Sequence, residues 1–322
     1  MKNLKHVLLA AALALTSGAA VAQDYPTKSI KWIVPYTPGG YTDNVTRLVT
    51  TRMATSLGQS IIIENKPGAN SIIGVDQATK AAPDGYTMLT TITAHAANFT
   101  LYAGKLPFDP YNSLMPISLV AITPLVLSVN KDLPVNSIGE LIAYAKANPD
   151  KLSFGSSGVG AAAHLTSELL KYTAGIQMVH APYKGTAPAM VGLMSNSIQV
   201  LVDAPSGVGA NIRAGKIKAL AFFSDKRLPS YPDVPTIVES GGPKLESSSW
   251  VMFFAPAGTS KAIVNKLSVA VKEALKSEEL VKLFADQGII TVGNTPAEAD
   301  AFLKAEVTKW GNLIKTVGVK AE

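Results

Sequence analysis

The chain has 322 residues, 47% hydrophobic and 16% charged, with 25 Gly and 20 Pro. That is a globular composition without the charge excess of a disordered chain, and its length suits two domains of ordinary size. There is no cysteine, which excludes disulfides, thiolate nucleophiles, zinc ribbons and iron–sulfur clusters. The formal net charge of +6 comes from 29 Lys and Arg against 23 Asp and Glu. The basic residues are scattered, and the densest clusters, Lys216 with Lys218 and Lys226 with Arg227, have no aromatic side chains between them, so no nucleic-acid partner is expected.

Met1 to Ala22 carries Lys2 and Lys5, an apolar stretch from Val7 to Leu15, and Ala20-Val21-Ala22 before Gln23. These are the basic, apolar and small-residue regions of a cleaved secretory signal. The apolar stretch is shorter than the roughly 20 residues that span a bilayer. The mature chain is therefore expected outside the cytoplasm, in a bacterial periplasm, where chemistry driven by ATP or NAD is not expected.

Beyond the signal, short β-rich runs alternate with longer amphipathic ones, which predicts an α/β protein with sheets covered by helices. Ile30 to Val34 reads as a strand stopped by Pro35, Pro38 and Gly39-Gly40, followed by a helix with Val45, Leu48, Val49, Met53 and Leu57 on one face and Gly58 past its end. Strands are expected at Ile61–Ile63, Tyr86–Ile92 and Leu125–Val129. Ser137-x-x-Glu140 has the form of a capping box. The middle of the chain then alternates strands at Leu152–Phe154, Gln177–Tyr183, Gln199–Val202 and Ile217–Phe223 with helices at Ala161–Tyr172, Thr186–Met194 and Pro205–Arg213. After a turn-rich stretch come a strand at Trp250–Phe254, a helix at Ser260–Leu275, and a last long helix opened by Thr295-Pro296-x-Glu298. The layout suggests a first lobe from residues 23–124 and 249–322 and a second from 125–248. The joins near Ala121–Val129 and Leu245–Met252 would act as a hinge.

Two glycine-rich loops carry the candidate chemistry. The first, Pro35 to Asn44, lies between a strand and a helix, where unpaired amides form an anion cradle. On the residues alone, Thr42 or Asp43 could equally serve only as the helix cap. The second, Gly155-Ser156-Ser157-Gly158-Val159-Gly160, adds two hydroxyls. No phosphate-loop pattern occurs, no acid follows at the position that would hold a ribose, and Ser157 does not stand in a nucleophile elbow. A secreted hydrolase using Ser157 and His164, with Asp203 as third member, is the alternative. His95, after the strand from Tyr86, suits a hydrogen-bonding role beside a ligand or a structural one, whereas His164 and His180 read as structural. No metal-binding spacing is present.

At these residues the mature chain resembles the Bug-type extracytoplasmic solute receptors, the binding components of tripartite tricarboxylate transporters. The motifs are Tyr25-Pro26; Ile33-Val34-Pro35-Tyr36-x-Pro38-Gly39-Gly40-x-Thr42-Asp43; Glu64-Asn65-Lys66-Pro67-Gly68-Ala69; Ala82-Pro83-Asp84-Gly85-Tyr86-Thr87; Phe154-Gly155-Ser156-Ser157-Gly158-x-Gly160; Pro182-Tyr183-Lys184-Gly185; Ile212-Arg213-x-Gly215-Lys216; and Pro232-Asp233-Val234-Pro235-Thr236. The resemblance implies a two-lobed periplasmic-binding-protein fold, no catalysis, no cofactor, and a monomer that closes on a small carboxylate and delivers it to membrane permease subunits. It further implies that Thr37, Gly39, Gly40, Tyr41, Thr42 and Asp43 hold a carboxylate through amides and a hydroxyl, beside Tyr36. Other contacts would come from Thr93, Ala94 and His95, from Ser156, Ser157 and Gly158, and from Asp203. Apart from the resemblance, Tyr183-Lys184-Gly185-Thr186 and Val202-Asp203-Ala204 stand at strand ends of the second half, where they are expected to face the same cleft. Tyr41 stands where the family has a small residue and Phe99 where it has proline, so both an aromatic and a short aliphatic acid stay open.

Overall fold

The computed structural model describes residues 25–183 and 185–321; the signal expected at residues 1–22 lies outside the described residues. Two mixed sheets form. The first has the order β11-β4-β10-β3-β1-β2, from β1 (Ile30–Val34), β2 (Ile61–Asn65), β3 (Thr87–Ile92), β4 (Leu114–Pro124), β10 (Ser248–Pro256) and β11 (Ile290–Thr291). The second has the order β7-β6-β8-β5-β9, from β5 (Val126–Asn130), β6 (Ser153–Ser156), β7 (Val179–Pro182), β8 (Val200–Asp203) and β9 (Ile217–Phe222). The first sheet thus takes β10 back from late in the chain, antiparallel between β3 and β4.

The apolar runs are nearly continuous because both faces of each sheet are covered. On β1, Ile30, Trp32 and Val34 face α1 (Tyr41–Leu57) and α8 (Lys261–Ala274), while Ile33 faces the opposite cluster, which holds Trp250, Trp310 and Ile314. Side chains alternate with a period of two, so one strand feeds two cores. The second sheet does the same: Leu127, Val129 and Val202 pack toward α4 (Ile138–Ala147) and α5 (Ala162–Ala174), and Val126 and Leu201 toward α6 (Thr186–Met194) and α7 (Pro205–Arg213). Leu165 of α5 is fully buried in the first sheet's outer cluster, beside the long C-terminal α10 (Pro296–Val317), so the two halves share an apolar seam.

The chain passes between sheets at Leu125 and again at Ser247, and the crossings lie side by side. The Leu125 amide donates to Ser247 O at 3.1 Å, Ser247 N to Phe223 O at 3.0 Å, and Phe223 N to Leu125 O at 2.8 Å. Between them, the buried Oγ1 of Thr166 on α5 meets Ser247 Oγ at 2.6 Å.

Several elements went unread in the sequence. They are β4, interrupted by Pro116; α2 (Ile72–Thr79) and α3 (Thr93–Leu101), the latter starting directly where β3 ends; α9 (Glu278–Asp286); and the two-residue β11. The Ser137 motif forms only half a box, since Ser137 Oγ accepts from Glu140 N while the Glu140 carboxylate takes the Asn136 amide instead. At Thr295 both halves form.

One buried polar cluster ties β10 to α10. Glu306 Oε2 accepts from the indole of Trp250 at 2.9 Å and of Trp310 at 2.7 Å. Glu306→Ala leaves both buried indole donors unpaired and should cost about 2–5 kcal/mol, read as a lower denaturation midpoint; an unchanged midpoint would show that the cluster carries no stability.

Candidate ligand cleft

The first loop reaches its shape through Gly39, whose φ of 79° lies in the left-handed region and suits glycine. Gly40 is the N-cap of α1 and has no side chain to cap with. The first intrahelical bond runs from Asn44 N to Gly40 O at 2.9 Å, which leaves the amides of Tyr41, Thr42 and Asp43 without backbone partners. Asp43 does not cap them. Its Oδ2 accepts from Gly39 N and Arg47 Nε, each at 2.9 Å, and its Oδ1 from Asn65 Nδ2 at 2.9 Å. Burial pushes this carboxyl's pKa up, yet the bonds from Arg47, Gly39 and Asn65 outweigh it and hold the group below its ordinary value. Asp43 therefore braces the loop from behind. Thr42 makes no cap either, and its residue lines the open space in front.

The second loop rests on a stack of rings. Phe154, His180 and His164 lie nearly parallel, with 4.8 Å between the first pair of centroids and 3.9 Å between the two imidazoles. His180 Nε2 is 2.7 Å from Ser156 Oγ, and His164 Nδ1 accepts from Gly160 N at 3.1 Å. Nδ1 is thus an acceptor, which places the proton of the neutral ring on Nε2. The stack grips both ends of the loop and leaves Ser157 at the surface between them.

A cavity of about 760 Å³ lies between the sheets, walled by both loops and floored by Leu125 and Ser249 at the crossings. Of the residues expected from the sequence, it brings together Tyr36, Thr37, Gly39, Gly40, Tyr41, Thr42, Ala94, Ser157 and Asp203. The other six do not line it. Asp43 and Ser156 are the braces just described. Thr93 is fully buried, with its Oγ1 unpartnered. His95 is turned into the core, edge-on to Phe99 and Phe254, because the chain coils into α3 at Thr93 and carries the third residue inward. The Tyr183 ring lies along α6 against Gly192, and Gly158 packs near the Tyr183 carbonyl. Gly185 and Thr186, at the strand end expected to face the cleft, line the cavity; Asn70 lines it too and was missed, although it stands immediately beyond the motif Pro67-Gly68-Ala69, and that adjacency was the available signal.

Asp203 is held at the cavity wall by Thr186 Oγ1 at 2.8 Å and the Ala204 amide at 2.7 Å. Burial outweighs both bonds and raises its pKa to about 6. Tyr41 reaches across its own half, with its hydroxyl 2.7 Å from Thr123 Oγ1 near the end of β4. Among the described residues, no Lys, Arg or His lines the cavity, no cluster of His, Asp and Glu could hold a metal, and no helix is long and apolar enough to cross a membrane. A hydrolytic triad is not assembled: His164 spends Nδ1 on Gly160, its Nε2 is 3.9 Å from Glu168, and Asp203 is bonded to Thr186.

Burial lowers the pKa of His95 and His180 to about 4, and burial with the neighbouring His180 and Lys171 lowers that of His164 to about 3. A depressed histidine leaves the unfolded chain holding more protons, so stability is full above about pH 6.5 and falls as pH drops toward 4. His95, fully enclosed, contributes about 1.4 kcal/mol per pH unit across that interval. Asp203, with its pKa raised, works in the opposite sense below about pH 6, but it is one group against three. The denaturant midpoint should be lower at pH 4.5 than at pH 6.5; an equal or higher midpoint would contradict the buried neutral stack.

Comparison with known proteins bears on the family and the fold. The family model described as the tripartite tricarboxylate transporter family receptor matches residues 45–319. Protein BugT of Bordetella pertussis is 36% identical over 311 residues, spanning 95% of each chain. Among solved structures, the periplasmic binding protein BugD is 36% identical with a TM-score of 0.83, over 92% of this chain and 100% of that one. R. palustris Rpa4515, solved with adipate, is 34% identical with a TM-score of 0.85, over 92% and 99%. The two sheets are those of a periplasmic binding protein, and the chain belongs to the receptor family of the tripartite tricarboxylate transporters.

Proposed function

We propose that this protein is a periplasmic receptor that closes on a small organic carboxylate and hands it to the membrane subunits of a tripartite transporter, without catalysing a reaction. The observation that carries this reading is the set of three unpaired amides in the first turn of α1, at Tyr41, Thr42 and Asp43, of which Tyr41 and Thr42 line a cavity of about 760 Å³. A helix N-terminus with free donors favours a carboxylate by charge and by geometry. Hydrogen bonds to a charged group contribute about 1.5–3 kcal/mol each, so four give roughly 6–12 kcal/mol before the cost of association. That is enough for a receptor without a cationic clamp. Ser157 supplies a hydroxyl from the opposite wall, and the relative solved with adipate supports the ligand class.

In this reading residues 23–124 and 249–322 form one lobe, residues 125–248 the other, and the crossings at Leu125 and Ser247 are the hinge. Tyr36, Thr37, Gly39, Gly40, Tyr41, Thr42, Ser157 and Asp203 contact the ligand. Asp43, Ser156 and Gly158 keep the loops in shape. The protein acts as a monomer.

Because neither Thr42 nor Asp43 caps α1, ligand contact and helix stability are separable. Thr42→Ala should weaken binding about 10- to 150-fold, the equivalent of about 1.5–3 kcal/mol, with the melting temperature unchanged. Equal affinity of variant and wild type by calorimetry would reject the role of the hydroxyl. Asp203 gives a second handle: it is neutral below about pH 6 and anionic above, so affinity for an acid ionised throughout should fall as pH rises from 5 to 7.5. Asp203→Asn should flatten that profile; a wild-type profile that is already flat would remove Asp203 from the site. A thermal-shift panel of mono- and dicarboxylic acids, aliphatic and aromatic, tests the class itself. Stabilisation by at least one acid that is not consumed is the expected result, and turnover of an ester or amide would overturn it.

A further inference from the structure

Ala69, Asn70 and Ser71 have φ values of 45°, 48° and 76°. Three consecutive residues other than glycine thus occupy the left-handed region, which side chains of L-residues disfavour. Such strain persists only where the surroundings over-determine it, and it gathers at functional sites. Here the surroundings are visible. Asn70 Nδ2 donates to Asn98 Oδ1 at 2.8 Å, and Asn98 Nδ2 donates back to Asn70 O at 2.8 Å. Asn98 is buried on α3, so the reciprocal pair pins side chain and backbone together. The turn leads straight into α2, whose Gly74 fits against Pro35 at the root of the first loop with no room for a methyl group.

Asn70 lines the cavity. One of its amide hydrogens is given to Asn98; the second, and Oδ1, have no partner among the described residues. It is also where the opposite half touches down. A Cβ added to Gly160 would stand 3.1 Å from Asn70 Nδ2 and 2.5 Å from Leu101 Cδ1, so the second loop seats against this turn at closest approach. Gly160 in turn is held by His164 Nδ1. A continuous series of contacts therefore runs from Asn98 through Asn70 and Gly160 to the ring stack.

We propose that Asn70 is the closure latch of the receptor: the strained turn holds its carboxamide where one face meets the ligand and the other seats Gly160 of the facing lobe. This rests on the receptor reading, and it adds a positioning residue to that site. Strain in the turn is then the cost of presenting a carboxamide, rather than bare backbone, at the point where the lobes meet.

Asn70→Gly separates this role from a structural one. Glycine accepts the left-handed turn without strain but leaves the buried Asn98 Oδ1 without its donor, two effects of opposite sign on the melting temperature; a residue that mattered only for the fold would leave binding and the radius of gyration unchanged. The latch predicts about tenfold weaker affinity for adipate, the probe, and a larger radius of gyration by small-angle scattering without ligand. Gly160→Ala, which forces a methyl group into the same contact, should enlarge the radius likewise. The double variant should be no more open than the larger single, because both act on one contact. A scattering curve of Asn70→Gly that superimposes on wild type, or additive effects in the double variant, would overturn the latch. Wild type that ignores adipate and every acid of the panel would count against the carboxylate reading, and the scattering comparison would then decide the latch by itself.

Discussion

Three main-chain amides at the start of α1 are left vacant, and much of the architecture around the cleft serves to keep them so. A carboxylate side chain stands in the same turn, where the unpaired donors favour negative charge. Asp43 is instead committed in three directions, to Gly39, Arg47 and Asn65. The protein's own anion is thereby removed from competition, and the same bonds fix the turn that aims the amides outward. Thr46, whose hydroxyl meets Thr90 at 3.1 Å while Trp32 donates to that same Thr90 at 2.8 Å, anchors the helix's first turns to β3.

The two loops are braced by different chemistry. The first is held by ionic and amide hydrogen bonds, which salt and pH near neutrality leave largely intact because Asp43 is buried. The second is held by aromatic and imidazole stacking, which depends on both histidines staying neutral. Acid acts on the two walls of the cleft through different groups, the Asp43 carboxylate behind the first loop and the two imidazoles behind the second.

Fold class was legible in the sequence because strand and helix alternate with strong periodicity, and because glycine and proline mark nearly every turn. What escaped were elements whose punctuation is misplaced or missing: β4 carries a proline inside it, and α3 begins where β3 stops. That second omission also misled the reading of the site. Thr93 and His95 were expected at an open strand end, whereas helical coiling turns them inward. Tyr183 and Ser156 show the other limit, since a motif gives the position of a residue along the chain and not the direction of its side chain. Thr42, Ser157 and Asp203 were legible because each stands where a strand hands over to a helix, the place at which α/β sheets meet their ligands.

The apolar seam between α5 and α10 has a geometric consequence. If the halves part, they cannot separate evenly, since Leu165 is sealed among Trp310 and its neighbours on one side while the crossings at Leu125 and Ser247 tether another. In the receptor reading, the rim bounded by the two glycine-rich turns is then the part free to swing outward. Cargo would then enter and leave by a single mouth, and whatever receives it from this receptor would have to face that mouth.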